Sequence, residues 1–123
     1  MRELTGHKVN PVNDVLKVLV LDEPGHGGAC HRYSITNDGP TELADVSTAI
    51  HFQDGPINEA GINGITHEAL LAILIDRLQG FQSGPYAGRE NAIALTHLQD
   101  AQHWLQHRTR ERMARGVEGT HAK

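Results

Sequence analysis

Thr66-His67-Glu68-Ala69-Leu70-Leu71-Ala72-Ile73-Leu74-Ile75-Asp76-Arg77-Leu78-Gln79-Gly80, followed by Phe81-Gln82-Ser83-Gly84-Pro85, decides the fold of this 123-residue chain. The first run predicts a helix. Thr66 is placed to cap it, and Glu68 sits in the first turn beside the positive helix end. Its apolar residues surround most of the helix circumference, which reads as a buried helix. Gly80 ends it. Ser83 or Gly84 then caps a second helix, with Pro85 in its first turn. That helical pattern continues to Arg115, where Gly116 is a natural stop. Its length is about 30 residues, or roughly 45 Å at 1.5 Å per residue. Leu95, Leu98, Leu105 and Met113 line one side, with Ala94, Ala101 and Trp104 nearby. Two helices with so short a connection form an antiparallel hairpin. The first helix is about half as long as the second and leaves part of it uncovered. A partner chain is the economical explanation for the surplus.

Upstream of the hairpin the pattern changes. Val12 to Asp22 is rich in Val and Leu and reads as a strand, broken by Pro24-Gly25-His26-Gly27-Gly28. Cys30 to Thr36 reads as a second strand, broken by Asn37-Asp38-Gly39-Pro40. Val46 to Gln53 reads as a third, stopped by Asp54-Gly55-Pro56. Short connections favour an antiparallel meander. The predicted class is α+β in one domain over 1–123: a small antiparallel sheet of about three strands in 1–56, a helical hairpin in 65–116 with a long last helix, and a tail in 117–123.

Composition narrows the class further. Residues 1–104 hold 6 Lys/Arg against 13 Asp/Glu, a net of −7, whereas residues 105–123 hold 5 against 2, a net of +3. The formal net charge is −4. A basic cluster on an acidic chain is a local device for anions, because overall repulsion opposes general attraction to polymeric nucleic acid. The single cysteine, Cys30, excludes an internal disulfide framework and fits a reducing compartment. No apolar run reaches the roughly 20 residues of a membrane span, and the N-terminus lacks the apolar stretch of a signal peptide. These features predict a soluble, intracellular protein.

Candidate site residues gather in the hairpin. Arg108, Arg112 and Arg115 lie at i, i+4 and i+7 and share a helix face. They read either as cations complementing the C-terminal helix dipole or as a phosphate clamp. Phe81 follows the first helix and reads either as a core aromatic or as a base-stacking platform, with Asn91 as a polar reader one or two turns along. His103 and His107 at i, i+4 could hold a metal, but nothing in the spacing completes such a site, and they read as surface histidines. His67-Glu68-Ala69-Leu70-Leu71 lacks the second histidine of a zinc-protease helix. No nucleophile–base pair is supported by spacing.

Longer blocks carry a family resemblance. They are His51-Phe52-Gln53-Asp54-Gly55-Pro56, Gly61-Ile62-Asn63-Gly64-Ile65-Thr66, Asp76-Arg77-Leu78-Gln79-Gly80-Phe81-Gln82-Ser83-Gly84-Pro85, Arg89-Glu90-Asn91-Ala92, Arg108-Thr109-Arg110-Glu111-Arg112 and Arg115-Gly116-Val117-Glu118-Gly119-Thr120. Together they resemble the phage anti-Thoeris sponge proteins, whose hairpin is similar to that of the anti-CBASS cyclic-nucleotide sponges. The resemblance is close over about residues 48–121 and loose before them. It implies a protein of the host bacterial cytoplasm that binds cyclic ADP-ribose isomers without cleaving them, and in some members cyclic tri- or dinucleotides at separate sites. It implies no catalysis, cofactor, metal or membrane. It also implies a homodimer, or a hexamer built as a trimer of dimers. Carried over, Phe81 stacks on the adenine, Asn91 lies in the same pocket, and Arg108 and Arg112 meet the diphosphate. Arg32 is a weaker candidate from the sheet. Arg115, Gly116, Val117, Gly119 and Thr120 match a cyclic trinucleotide site. One departure is Tyr86-Ala87-Gly88, where a Phe-Ala-Cys pattern is expected; a glycine inside a helix start would weaken it by about 1 kcal/mol.

Asn91 and Arg108 are 17 positions apart on one predicted helix, hence about 25 Å. One chain cannot bring both to one small ligand. Antiparallel packing of two copies would join Phe81 and Asn91 of one to Arg108 and Arg112 of the other, in two equal pockets. An enzyme that degrades the same messenger, and a helical-hairpin interaction module, remain the alternatives on the residues alone.

Overall fold

The computed structural model describes residues 1–37 and 47–123. The chain divides into two compact units, Met1–Ile65 and Thr66–Lys123. The α+β class is as the sequence predicts.

The first unit is an antiparallel meander of four strands, β1 (Arg2–Leu4), β2 (Leu16–Val20), β3 (Arg32–Asn37) and β4 (Ser47–His51), in that spatial order. Register pairs Val18 with Ile35, Val20 with Tyr33, and Tyr33 with Ile50. Directly opposed residues share a face. Leu4, Val18, Val20, Tyr33, Ile35 and Ile50 therefore form the apolar side, and Glu3, Lys17, Ser34 and Thr36 lie on the other. Val20 is fully buried, and the Tyr33 and Phe52 rings meet edge-on at 5.7 Å.

Two expectations change here. β1 is a fourth strand, and its three residues are too few to show a period. The first expected strand begins late, because Pro11–Asp14 forms a short helix, α1. Asn10 accepts from the Asn13 amide, and Pro11 fits the first helical position. Val46 and the Asp38-Gly39-Pro40 break lie outside the described residues.

The block after β4 is a loop closed by two amide side chains. It contains a one-turn helix, α2 (Ile57–Ala60). Gln53 Nε2 donates to the carbonyls of Gly55 and Gly61, and its Oε1 accepts from the Asn63 amide. Asn63 in turn accepts from the Asp54 amide and donates to the Asp54 carbonyl, at 2.8 and 2.7 Å. Its backbone returns beside Phe52 through a parallel bridge at Ile65. Gly64 is required there, since a Cβ would run into the Phe52 and His51 backbone.

The second unit is the hairpin of α3 (His67–Gln82) and α4 (Arg89–Ala114). Thr66 caps α3 as expected, accepting from the Ala69 amide at 3.2 Å. Leu71, Ile75 and Leu78 of α3 and Leu95, Leu98 and Leu105 of α4 are the partly buried leucines and isoleucine between the helices. Gln102 Nε2 ties α4 to the Glu68 carbonyl at the start of α3. The reading of α3 as a buried helix fails: Ile73 is 64% exposed and Leu74 46%. One neighbouring helix covers one stripe, and the rest of the apolar circumference faces outward. Met113 and Trp104 are also exposed. Met113 is eight residues beyond Leu105 and has rotated off the inner stripe. Arg112, seven beyond, stays on it.

The connection is also longer than expected. Ser83 closes α3, its amide donating to the Gln79 and Gly80 carbonyls and its hydroxyl to Gly80. Gly88, in extended conformation, is the N-cap of α4. The Gln82 amide holds both sides of it, donating to the Gly88 carbonyl and accepting from its N–H. Pro85 thus belongs to the turn and not to α4, and Gly88 weakens no helix interior. At the far end Gly116 adopts φ +73°. The Val117 amide donates to the Arg112 carbonyl and the Gly116 amide to Met113, the double closure of a Schellman stop.

Candidate functional site

The turn end of the hairpin holds an open groove of about 610 Å³, lined by Ile73, Asp76, Arg77, Gly80, Phe81, Gly84, Pro85 and Tyr86. Phe81 lies in the last turn of α3 with 36% of its surface exposed. The Arg77 guanidinium carbon sits 5.0 Å from the centre of its ring. That contact orients the ring and covers one face of it. Tyr86, 75% exposed, adds a second aromatic wall. A groove with an exposed ring, a guanidinium and a carboxylate suits a ligand that stacks and carries polar groups. Asn91 is half-buried in the first turn of α4 and is not among the groove-lining residues.

The arginines at the far end of α4 do not behave as one set. Arg108 is exposed. Arg112 is only 6% exposed. Its Nη1 donates to the Ala122 carbonyl, and its Nη2 to Val117 at 2.9 Å and Thr120 at 3.2 Å. Its Nε lies 3.7 Å from Glu118. The expectation that Arg112 meets a diphosphate therefore meets a side chain whose donors are mostly committed to its own tail. Arg115 pairs with Glu111 at 3.6 Å and donates to the Lys123 carbonyl. Gly119 is buried and Thr120 donates its hydroxyl to Val117. The predicted second-site residues Arg115, Gly116, Val117, Gly119 and Thr120 thus form one compact fold around Arg112.

The family model described as "Acb2/Tad1, hairpin domain" matches residues 44–110, just over half of the chain. The chain belongs to this family. It is also 43% identical over 99 residues to "Thoeris anti-defense 1" of Bacillus phage SBSphiJ7. That match covers 80% of this chain and 66% of the relative, so the chain spans just under two thirds of that protein's length. The family match includes the whole groove and Asn91 and Arg108, and ends before Arg112 and the tail.

In this hairpin family member, Arg77 and Asp76 are groove residues to which sequence reading gave no role, and Tyr86 entered it only as a departure from the expected pattern. The i, i+4 spacing of Arg77 and Phe81 was the available signal. On α4, His103, Trp104 and His107 form an exposed aromatic row, with His103 and His107 rings 6.3 Å apart and Trp104 edge-on to both. Among the described residues no group of three or more potential metal ligands occurs, and no helix is long and apolar enough to cross a membrane.

Arg32 opens β3, in the first unit, with an exposed side chain. Its amide and that of His31 both donate to the Asp22 carboxylate, at 3.2 and 2.9 Å. The His31 amide above all holds the Asp22 carboxyl below its ordinary value. His31 itself is buried, with Nε2 3.1 Å from the His26 carbonyl and 3.5 Å from Asp54. This arrangement anchors the β2–β3 connection.

Proposed function

We propose that the chain is a phage anti-defence sponge that binds cyclic ADP-ribose isomers and withholds them, uncleaved, from Thoeris- or CBASS-type immune signalling. The observation that carries the reading is the exposed Phe81 ring, oriented by Arg77, in a groove of nucleotide size within the family-matched hairpin. The name of the Bacillus phage relative supports the anti-defence role. Stacking of a base on Phe81 supplies about 1–3 kcal/mol. A nanomolar complex needs about 12 kcal/mol, so several contacts must act together.

The working unit in this proposal is a homodimer, with hexamers as trimers of dimers. α4 is continuous from Arg89 to Ala114, so Asn91 and Arg108 stay about 25 Å apart within one chain. A second copy running antiparallel supplies Arg108 to the Phe81 groove. The outward Ile73, Leu74, Ile93 and Trp104 side chains favour a partner that covers them. The tail residues Arg115, Gly116, Val117, Gly119 and Thr120 are the proposed second site, for a cyclic trinucleotide.

The test is to incubate the protein with a cyclic ADP-ribose isomer, remove free ligand, denature by heat and analyse the supernatant. Recovery of intact ligand is expected. Failure to retain any cyclic nucleotide sinks the proposal, and a linear product that grows with time replaces it with a degrading enzyme.

A further inference from the structure

We infer that Arg77 is a phosphate-binding residue supplied within the chain, so that the Phe81 groove recognises a purine ribonucleotide and not merely a base. The inference rests on the groove being a nucleotide site. Arg77 precedes Phe81 by one helical turn, and its guanidinium carbon lies 5.0 Å from the ring centre. Phe81 stays 36% exposed beside that contact, which is the surface on which a purine would stack. A guanidinium carries five N–H donors, more than a contact with one ring can occupy. Those donors reach the groove that Arg77 and Phe81 both line. A base stacked on Phe81 would then carry its phosphate within reach of Arg77. Asp76, which lines the same groove, is an acceptor suited to ribose hydroxyls and sets the phosphate toward the arginine by repulsion. Ring, carboxylate and guanidinium thus match base, ribose and phosphate in one chain. Arg108, 17 positions from Asn91 along α4, is not needed for this first charge contact.

The experiment measures binding of ADP and of adenosine to the full chain by calorimetry, for the natural protein, Arg77→Met and Arg77→Lys. The natural protein should prefer ADP by at least about tenfold, the weight of one charge-assisted hydrogen bond. Arg77→Met should abolish that preference by weakening ADP far more than adenosine, and Arg77→Lys should keep part of it. A perturbed Arg77 Nε–H resonance with ADP but not with adenosine supports the same conclusion. The inference is overturned if the natural protein shows no preference for ADP, if Arg77→Met keeps the preference, or if it weakens both ligands equally, as a purely structural arginine would. Retention of a cyclic ADP-ribose isomer with an unaltered Arg77→Met protein removes only Arg77. Loss of retention with the ADP preference intact removes only the sponge reading.

Discussion

At the turn end of the hairpin, Arg77 lies exposed over the ring of Phe81 and faces an open groove. At the tail end, Arg112 is 6% exposed and donates to three backbone carbonyls. Both arginines sit on the same hairpin, yet one displays its donors and the other has spent them. Sequence gives the tail end the greater weight, because its arginines are clustered. Structure gives the turn end the greater weight, because a guanidinium matters to a ligand only if its N–H groups are unsatisfied. Charge count locates a basic region and says little about which cation in it is available.

The largest effect should come from the spent arginine. Arg112→Ala removes the donor to the Thr120 and Ala122 carbonyls and to Glu118, and one of the donors to Val117, which costs about 3 kcal/mol. Thermal unfolding should show the loss, and hydrogen exchange should show the Val117 and Thr120 amides opening. An Arg112→Ala protein with unchanged stability and lost ligand retention would make the two ends alike and restore Arg112 to the ligand.

Phe81→Ala tests the turn end in the opposite sense. Affinity for a cyclic ADP-ribose isomer should fall about 10- to 100-fold, the weight of one stacked base. Thermal stability should change by less than about 1 kcal/mol, since the ring is at the surface. A large stability loss with little change in affinity would make Phe81 a packing residue. Arg108→Ala should weaken binding by about tenfold or more without altering the mass seen by light scattering. Unchanged affinity would remove Arg108 from the site, and with it the reason for an antiparallel partner.

The hairpin was legible because its signals are local. Thr66 caps through a residue three positions on, and Gly116 stops α4 through contacts within five residues. The start of α4 was misread because Gly88 is held by Gln82, a side chain whose reach to the backbone has no composition signature. The tail contacts of Arg112 were not legible for a related reason. Its partners are carbonyls of Val117, Thr120 and Ala122, and a carbonyl is the same in every residue type. One clue existed: Leu98, Leu105 and Arg112 are seven apart, which keeps Arg112 on the stripe that faces α3. The sheet was legible where Val and Leu crowd into β2. It was not legible in β1, whose three residues acquire meaning only by pairing with Val18 to Val20.

The smallest effect sharpens the comparison most. Gly116 holds φ +73°, where an L side chain costs about 1 kcal/mol. No heavy atom lies within 4 Å of where its Cβ would be, so Gly116→Ala meets strain without a clash. The strain acts on the Schellman closure, whose amides donate back to Arg112 and Met113. Gly116→Ala should therefore lower stability by about 1 kcal/mol and speed exchange at Val117, with Arg112 still in place. Affinity at the Phe81 groove should stay the same if the two ends act separately. A matching loss of affinity would mean that the tail helps to hold the ligand, and that the spent arginine is part of the site after all.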